Sequence, residues 1–251
     1  MPDVTAKDII GYMESRRDEQ QRRGLMRFFK TGPGEYGEGD EFLGLKVPQT
    51  REIVKRFTHL PLQEVPELLK NRYHEIRLGG FLLLVWNFEK LATKRLIGDA
   101  AAMSARDGIV SMYLQYADYA NNWDLVDLSA PKILGHWLML PTALGDKTAI
   151  IDGLAHSDNL WYQRMSMVCS WWPSRMGDPS WCLRYACVHL QHPHDLMHKA
   201  VGWMLREMGK QVDMDLLRDF LDQHVQEMPR TALRYAIEKM TPDERTYWMS
   251  R

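Results

Sequence analysis

The chain has 251 residues, of which 45% are hydrophobic, enough to bury a substantial core. Its 32 Lys and Arg against 33 Asp and Glu give a formal charge of −1, without the basic excess that usually marks a nucleic-acid binder, although charge of one sign can still collect on one face. The longest apolar run, Phe81 to Trp86, is far shorter than the roughly 20 residues needed to cross a bilayer. With Asp3, Lys7 and Asp8 in the first turns there is no signal-peptide stretch, so the default expectation is a cytoplasmic protein. Three cysteines, Cys169, Cys182 and Cys187, are an odd number in such a chain and read as buried apolar fillers, not as a disulfide framework.

Helical periodicity runs through the whole length, and strand signals are nearly absent. Ile9, Met13, Leu25 and Phe29 begin the pattern, Ile53, Val54 and Phe57 continue it, and Ile76, Leu83, Leu84 and Phe88 make a long, largely buried helix. Further helices are expected to start near Lys94, Ser104, Trp123, Lys147, Asn159, Pro179, His194, Asp213, Pro229 and Pro242, many of these positions carrying a capping residue or Pro. Helices of about 12 to 18 residues joined by tight turns are what α-solenoid repeats produce. The expected fold is thus all-α, a single domain over 1–251 whose stacked helices curve to give a long concave surface suited to an extended ligand.

One segment interrupts this pattern. Thr31 to Asp40 is glycine-rich and acidic, lacks Gly-Lys-Ser/Thr and follows a helix, so it reads as a surface loop and not a phosphate-cradling P-loop. No nucleotide-cofactor motif occurs elsewhere. Cys187, His189, His192, His194 and His198 could suggest a metal, but Pro193 splits them and no fixed ligand spacing is present, so none is expected. Trp171, Trp172 and Trp181 read as packing at a helix end and turn.

The chemistry is sought instead in three segments. Asn121 to Asp127 opens a helix with Trp123 and Asp127 at i and i+4, on one face. Leu160 to Arg164 sets a guanidinium among apolar residues, where it needs an anionic partner. Ala200 to Glu207 puts Trp203 and Arg206 one turn apart. A carboxylate beside indole faces stabilises a developing cation, and arginines can grip phosphates. These parts suit a reaction on nucleic acid in which the sugar becomes oxocarbenium-like.

The order Asn-Trp-Asp-Leu-Val-Asp (122 to 127), Leu-Trp-Tyr-Gln-Arg (160 to 164) and Ala-Val-Gly-Trp-Met-Leu-Arg-Glu (200 to 207) resembles the bacterial AlkD family of alkylpurine DNA glycosylases. Arg27-Phe28-Phe29-Lys30 and Phe42 to Pro48, which includes Lys46, are similar to its N-terminal part. The resemblance implies a HEAT-like helical-repeat superhelix that holds duplex DNA in a concave groove and acts as a monomer without cofactor or metal. It further implies excision of positively charged bases such as 3-methyladenine and 7-methylguanine, without flipping the base out. By this resemblance Asp127 is the catalytic carboxylate, Trp123 and Trp203 pack against the lesion's sugar and backbone, and Arg164, Arg206, Phe28 and Lys46 contact the DNA. Phe28 stands where the best-known member has a tyrosine, and the 31 to 40 loop looks like an insertion. The alternative is a non-catalytic helical-repeat protein that binds branched or damaged DNA, with Asp127 structural.

Overall fold

In the computed structural model, residues 4–251 are described, and among them every regular element is helical apart from one isolated bridge between Glu41 and Tyr73. In chain order the helices are α1 (Ala6–Glu14), α2 (Glu19–Phe28), α3 (Val47–Arg56), α4 (Val65–Leu69), α5 (His74–Leu91), α6 (Ala100–Gln115), α7 (Trp123–Ala130), α8 (His136–Leu138), α9 (Lys147–Ala155), α10 (Leu160–Val168), α11 (Trp171–Arg175), α12 (Ser180–Val188), α13 (Asp195–Gln211), α14 (Met214–His224), α15 (Arg230–Ala236) and α16 (Pro242–Met249). The all-α expectation holds. No helix among the described residues is long and apolar enough to cross a membrane.

Most expected entrances are real, and side chains explain them. Asn159 accepts from the backbone of Trp161 and Tyr162, Asp213 caps Asp215, and Thr241 and Glu244 form a reciprocal capping box. Two entrances fall elsewhere. Residues 93–98 form turns instead of a helix from Lys94, and Ser104 lies inside α6, because Asp99 accepts from Ala102 N–H and starts that helix earlier.

The contacts divide the chain into two compact units. The first runs to Ser129 and includes Pro141–Ala143, and the second comprises Ala130–Leu140 and Leu144–Arg251. In the first unit α5 is the central element. Ile76, Leu78, Phe81, Leu83, Leu84 and Phe88 are all buried, α3, α4 and α6 pack around it, and an apolar surface on every side is the mark of such an interior helix. In the second unit α13 has the same role, packed by α10, α11, α12, α14 and α15, with Met197, Val201, Met204, Leu205 and Met208 at its core. After α7 the chain widens into a π-helical stretch over Pro131–Gly135, where Pro131 has no N–H for the regular ladder. Cys169 and Cys182 are buried as expected, their thiols pushed up by burial, that of Cys182 to about 12. Cys187 departs from the expectation by lying exposed on α12.

Candidate active site

Asn122 is fully buried, and its side-chain oxygen accepts from Trp123 N–H at 2.9 Å, where α7 begins. The next helical turns place Trp123 and Asp127 on the wall of one cavity of about 350 Å³ in the first unit. Phe28, Phe29, Phe42, Leu45 and Lys46 also line it. Its aromatic rings are in mutual contact. Phe29 stacks on Trp123 with centroids 5.4 Å apart and on Phe42 at 5.2 Å, while Phe28 meets Trp123 edge-on at 5.8 Å. Phe28 is nevertheless 62% exposed, so one face of the ring remains available to a ligand.

Behind the rings lies a group of buried charges. His74, at the start of α5, presents Nδ1 to Asp40 at 2.8 Å and Nε2 to Asp124 at 2.9 Å, and stacks on Phe42 at 4.5 Å. Arg77 holds the other oxygen of Asp40 at 2.5 Å and donates to the main-chain carbonyls of Asn71, Arg72 and Tyr119. Burial by itself would push the imidazolium down, but the charge and hydrogen bond of Asp124, reinforced by Asp40, raise it to about 9. His74 is therefore a cation at neutral pH, both N–H groups donating. Burial likewise opposes the charge of Asp40, yet His74 and Arg77 overcome it and hold that carboxyl below its ordinary range. One residue along, Glu75 accepts from the backbone N–H groups of Leu43, Gly44 and Leu45 at 2.9, 2.8 and 3.0 Å, fixing the segment that carries Lys46 to the cavity rim. Gly44 suits this bend: its φ is +98°, and a Cβ there would stand 2.1 Å from the Asp18 carbonyl.

The glycine-rich segment has a role beyond that of a surface loop. Gly37 donates to the Lys30 carbonyl and lies so close to the Phe29 carbonyl that a Cβ would approach it to 2.4 Å, and the segment ends by delivering Asp40 into the interior. Asp40, His74, Glu75, Arg77 and Asp124 are residues that sequence reasoning missed. Their available signal was charge in the wrong place: His74, Glu75 and Arg77 occupy the first turn of a helix whose following stretch, Leu78 to Trp86, carries no polar side chain.

Of the seven residues expected at the site, Phe28, Lys46, Trp123 and Asp127 converge on this cavity. Arg164, Trp203 and Arg206 belong to the second unit. Arg164 on α10 is 4% exposed and gives Nη1 to the Leu196 carbonyl at 2.5 Å, tying α10 to α13. Trp203 and Arg206 both reach the surface of α13 in part, and Arg206 pairs with Glu207 at 3.2 Å and with Glu238. The histidines of the 189 to 198 stretch are occupied in hydrogen bonds: His189 with Ser166, His192 with Gln163, and His194 as the cap of α13. No group of three or more His, Cys, Asp or Glu among the described residues is placed to hold a metal ion. Trp172 stacks on His136 at 4.0 Å, a packing role as expected.

An all-helical chain with a carboxylate and an indole on the wall of an aromatic cavity defines a class of helical protein with an acidic, aromatic site. Residues 9–240 match the model of the DNA alkylation repair enzyme family, and the chain belongs to that family. No curated protein matches the sequence. A solved structure described as a predicted DNA alkylation repair enzyme from Enterococcus faecalis is similar over 90% of this chain and 97% of that one, with a TM-score of 0.66 and 15% identity. At that identity the likeness establishes the fold, an all-helical arrangement consistent with a HEAT-like one.

Proposed function

We propose that this protein is a DNA glycosylase that releases positively charged alkylated purines, 3-methyladenine and 7-methylguanine, from duplex DNA. The observation that carries the reading is the placement of Trp123 and Asp127 on one aromatic cavity in a chain of the DNA alkylation repair family. An alkylated purine already bears the charge that protonation would otherwise supply, so no general acid has to reach the base, and the base can react without being drawn out of the duplex. As the C1′–N bond breaks, its electron pair neutralises the departing purine and leaves a sugar cation. Asp127 and the indole face of Trp123 stabilise that cation. Water then attacks C1′, Asp127 takes its proton, and the proton passes to solvent. His74 does not serve as the base, because at about 9 it is already protonated at neutral pH.

Phe28 and Lys46 stand at the cavity rim to meet the DNA, Lys46 as an exposed cation at the entrance of α3. In the second unit Trp203 is assigned to the lesion's backbone, and Arg206 and Arg164 to phosphates. Arg206 would exchange an internal carboxylate for a phosphate, and Arg164 would act from a buried position. The protein is proposed to act as a monomer and without a cofactor. The test is release of 7-methylguanine from a methylated duplex by the protein and by Asp127→Asn. Release above the spontaneous rate that falls by about 100-fold or more in the variant is expected. No release by the unaltered protein refutes the reading.

A further inference from the structure

Two arginines of the first unit converge on one neutral oxygen. Arg56, in the last turn of α3, donates from Nη1 to the hydroxyl of Tyr12 at 2.7 Å. Arg16, just past the end of α1, donates from Nη2 to the same oxygen at 2.9 Å. Both guanidinium carbons also stand over the half-buried tyrosine ring, 5.1 and 5.6 Å from its centroid, and the ring packs on Phe57 at 5.9 Å. Like charges repel, and a phenol oxygen accepts their hydrogen bonds without cancelling either charge. The dipole of α3 favours a cation at position 56, but it does not explain why that cation faces a second one.

Neither guanidinium forms an ion pair among the described residues. They line an open hollow of about 430 Å³ together with Leu45, Pro48, Gln49 and Ile53. The one acid lining it, Glu52, is taken by Lys55 at 2.7 Å, and the charge of Arg56 is the smallest of the influences that hold its carboxyl low. Gln49 adds a donor. Its Oε1 accepts from Lys46 N–H at 2.8 Å and from Gln21 at 3.1 Å, which leaves the amide N–H₂ as the group it can offer. Tyr73 shows the balanced form of the same arrangement: it receives Arg17 at 3.1 Å and Arg72 at 2.5 Å, but there Glu41 stands 3.9 Å from Arg72.

We propose that Arg16, Arg56 and Gln49 form a binding site for a phosphate group. Two planar guanidinium forks can hold a tetrahedral phosphate from two sides, and Tyr12 keeps them poised for it. On binding, the N–H groups now shared by the phenol turn to phosphate oxygens, while the guanidinium planes stay over the ring. The phosphate can come from the backbone of a bound duplex, since Leu45 and Pro48 line both this hollow and the aromatic cavity, or it can be a free phosphate ion. The site requires no base release, so its fate is separate from that of the glycosylase reading.

The unaltered protein is compared with Arg16→Gln/Arg56→Gln and with Lys55→Gln/Lys70→Gln, which removes equal charge outside the hollow from lysines paired with Glu52 and Glu67. All four positions are exposed, so the variants keep the fold. One titration follows inorganic phosphate by the width of its ³¹P line, and a second follows undamaged duplex by fluorescence anisotropy between about 50 and 200 mM salt. A backbone phosphate at the site lowers the slope of log K against log salt by about 1 in the arginine variant alone. A free ion as ligand instead shows as a loss of about 10-fold or more in phosphate affinity in that variant alone, with the duplex slope unchanged. Either result supports the site and identifies the source. No change in either titration, or an equal change in the lysine variant, overturns the proposal.

Discussion

Replacing His74 by Gln removes the cation at the centre of the buried network, and its effect on stability has a defined pH dependence. In the fold the imidazole is raised to about 9, whereas in the unfolded chain it returns to 6.5. The folded state thus binds the proton more tightly. The stabilisation is fully present below pH 6.5 and is lost as the pH rises through 9. The gap between these values, at about 1.4 kcal/mol per pH unit, amounts to about 3 kcal/mol. Urea unfolding of the protein and of His74→Gln at intervals from pH 6 to 9.5 reads this directly. The advantage of the unaltered protein should shrink by about 3 kcal/mol across that range, at a slope near one proton. Lysine, tyrosine and cysteine titrations occur in both proteins and cancel in the difference. A difference that stays constant from pH 6.5 to 9.5 would refute the assignment of His74 as a buried imidazolium.

In the second unit His189 gives the opposite sign. Burial, with His192 nearby, lowers it to about 4, so the neutral ring stabilises the fold above pH 6.5 and the contribution disappears as pH falls toward 4. Substitution His189→Gln should flatten the acid limb of the stability profile by about 3 kcal/mol, and an unchanged limb in urea titrations counts against it. Glu75→Gln keeps the volume but aims an amide donor at a nest of three N–H groups, and should cost about 3 kcal/mol by urea denaturation; a loss below about 1 kcal/mol would show that the 43–45 segment is held by other means. Trp203→Ala should slow release of 7-methylguanine by more than it weakens binding to undamaged duplex, compared by single-turnover kinetics and equilibrium titration. Equal losses in the two assays would make Trp203 a nonspecific contact.

How much of this was legible in the sequence depends on the range of the interaction concerned. Trp123 and Asp127 could be placed on one wall because a helix fixes the relation of residues four apart. The long buried α5 followed from its apolar run. The network behind the site could not be read in that way. Asp40 and His74 are 34 positions apart, and His74 and Asp124 are 50 apart. Local periodicity says nothing about which of the chain's many acids meets a given histidine. The glycine-rich segment looked like solvent-exposed loop because its composition is that of a loop. Only the packing of Gly37 against Phe29 and the burial of Asp40 at 6% exposure give it a structural function. Cys187 is the converse case: burial preference is a statistic for the residue type, and the side on which a helix position falls decides the individual.

On the proposed reading, the buried charges beside the cavity and the partly exposed Arg206 would meet a bound duplex differently. Arg77, Asp40, His74 and Asp124 alternate in sign along their chain of ion pairs and are all buried, so their charges are paired and fixed in advance. Preorganised charge of this kind needs no rearrangement as a sugar cation develops, which is when electrostatic stabilisation is most effective. Arg206 is arranged otherwise: its partners Glu207 and Glu238 are carboxylates at a partly exposed position, and a phosphate can replace them only by exchange. Such an exchange returns part of the attraction to solvent, which weakens the contact and makes it reversible. On the proposed reading, a rigid cavity and loosely held backbone contacts would suit a protein that tests many undamaged sites for each lesion, because nonspecific binding has to release quickly.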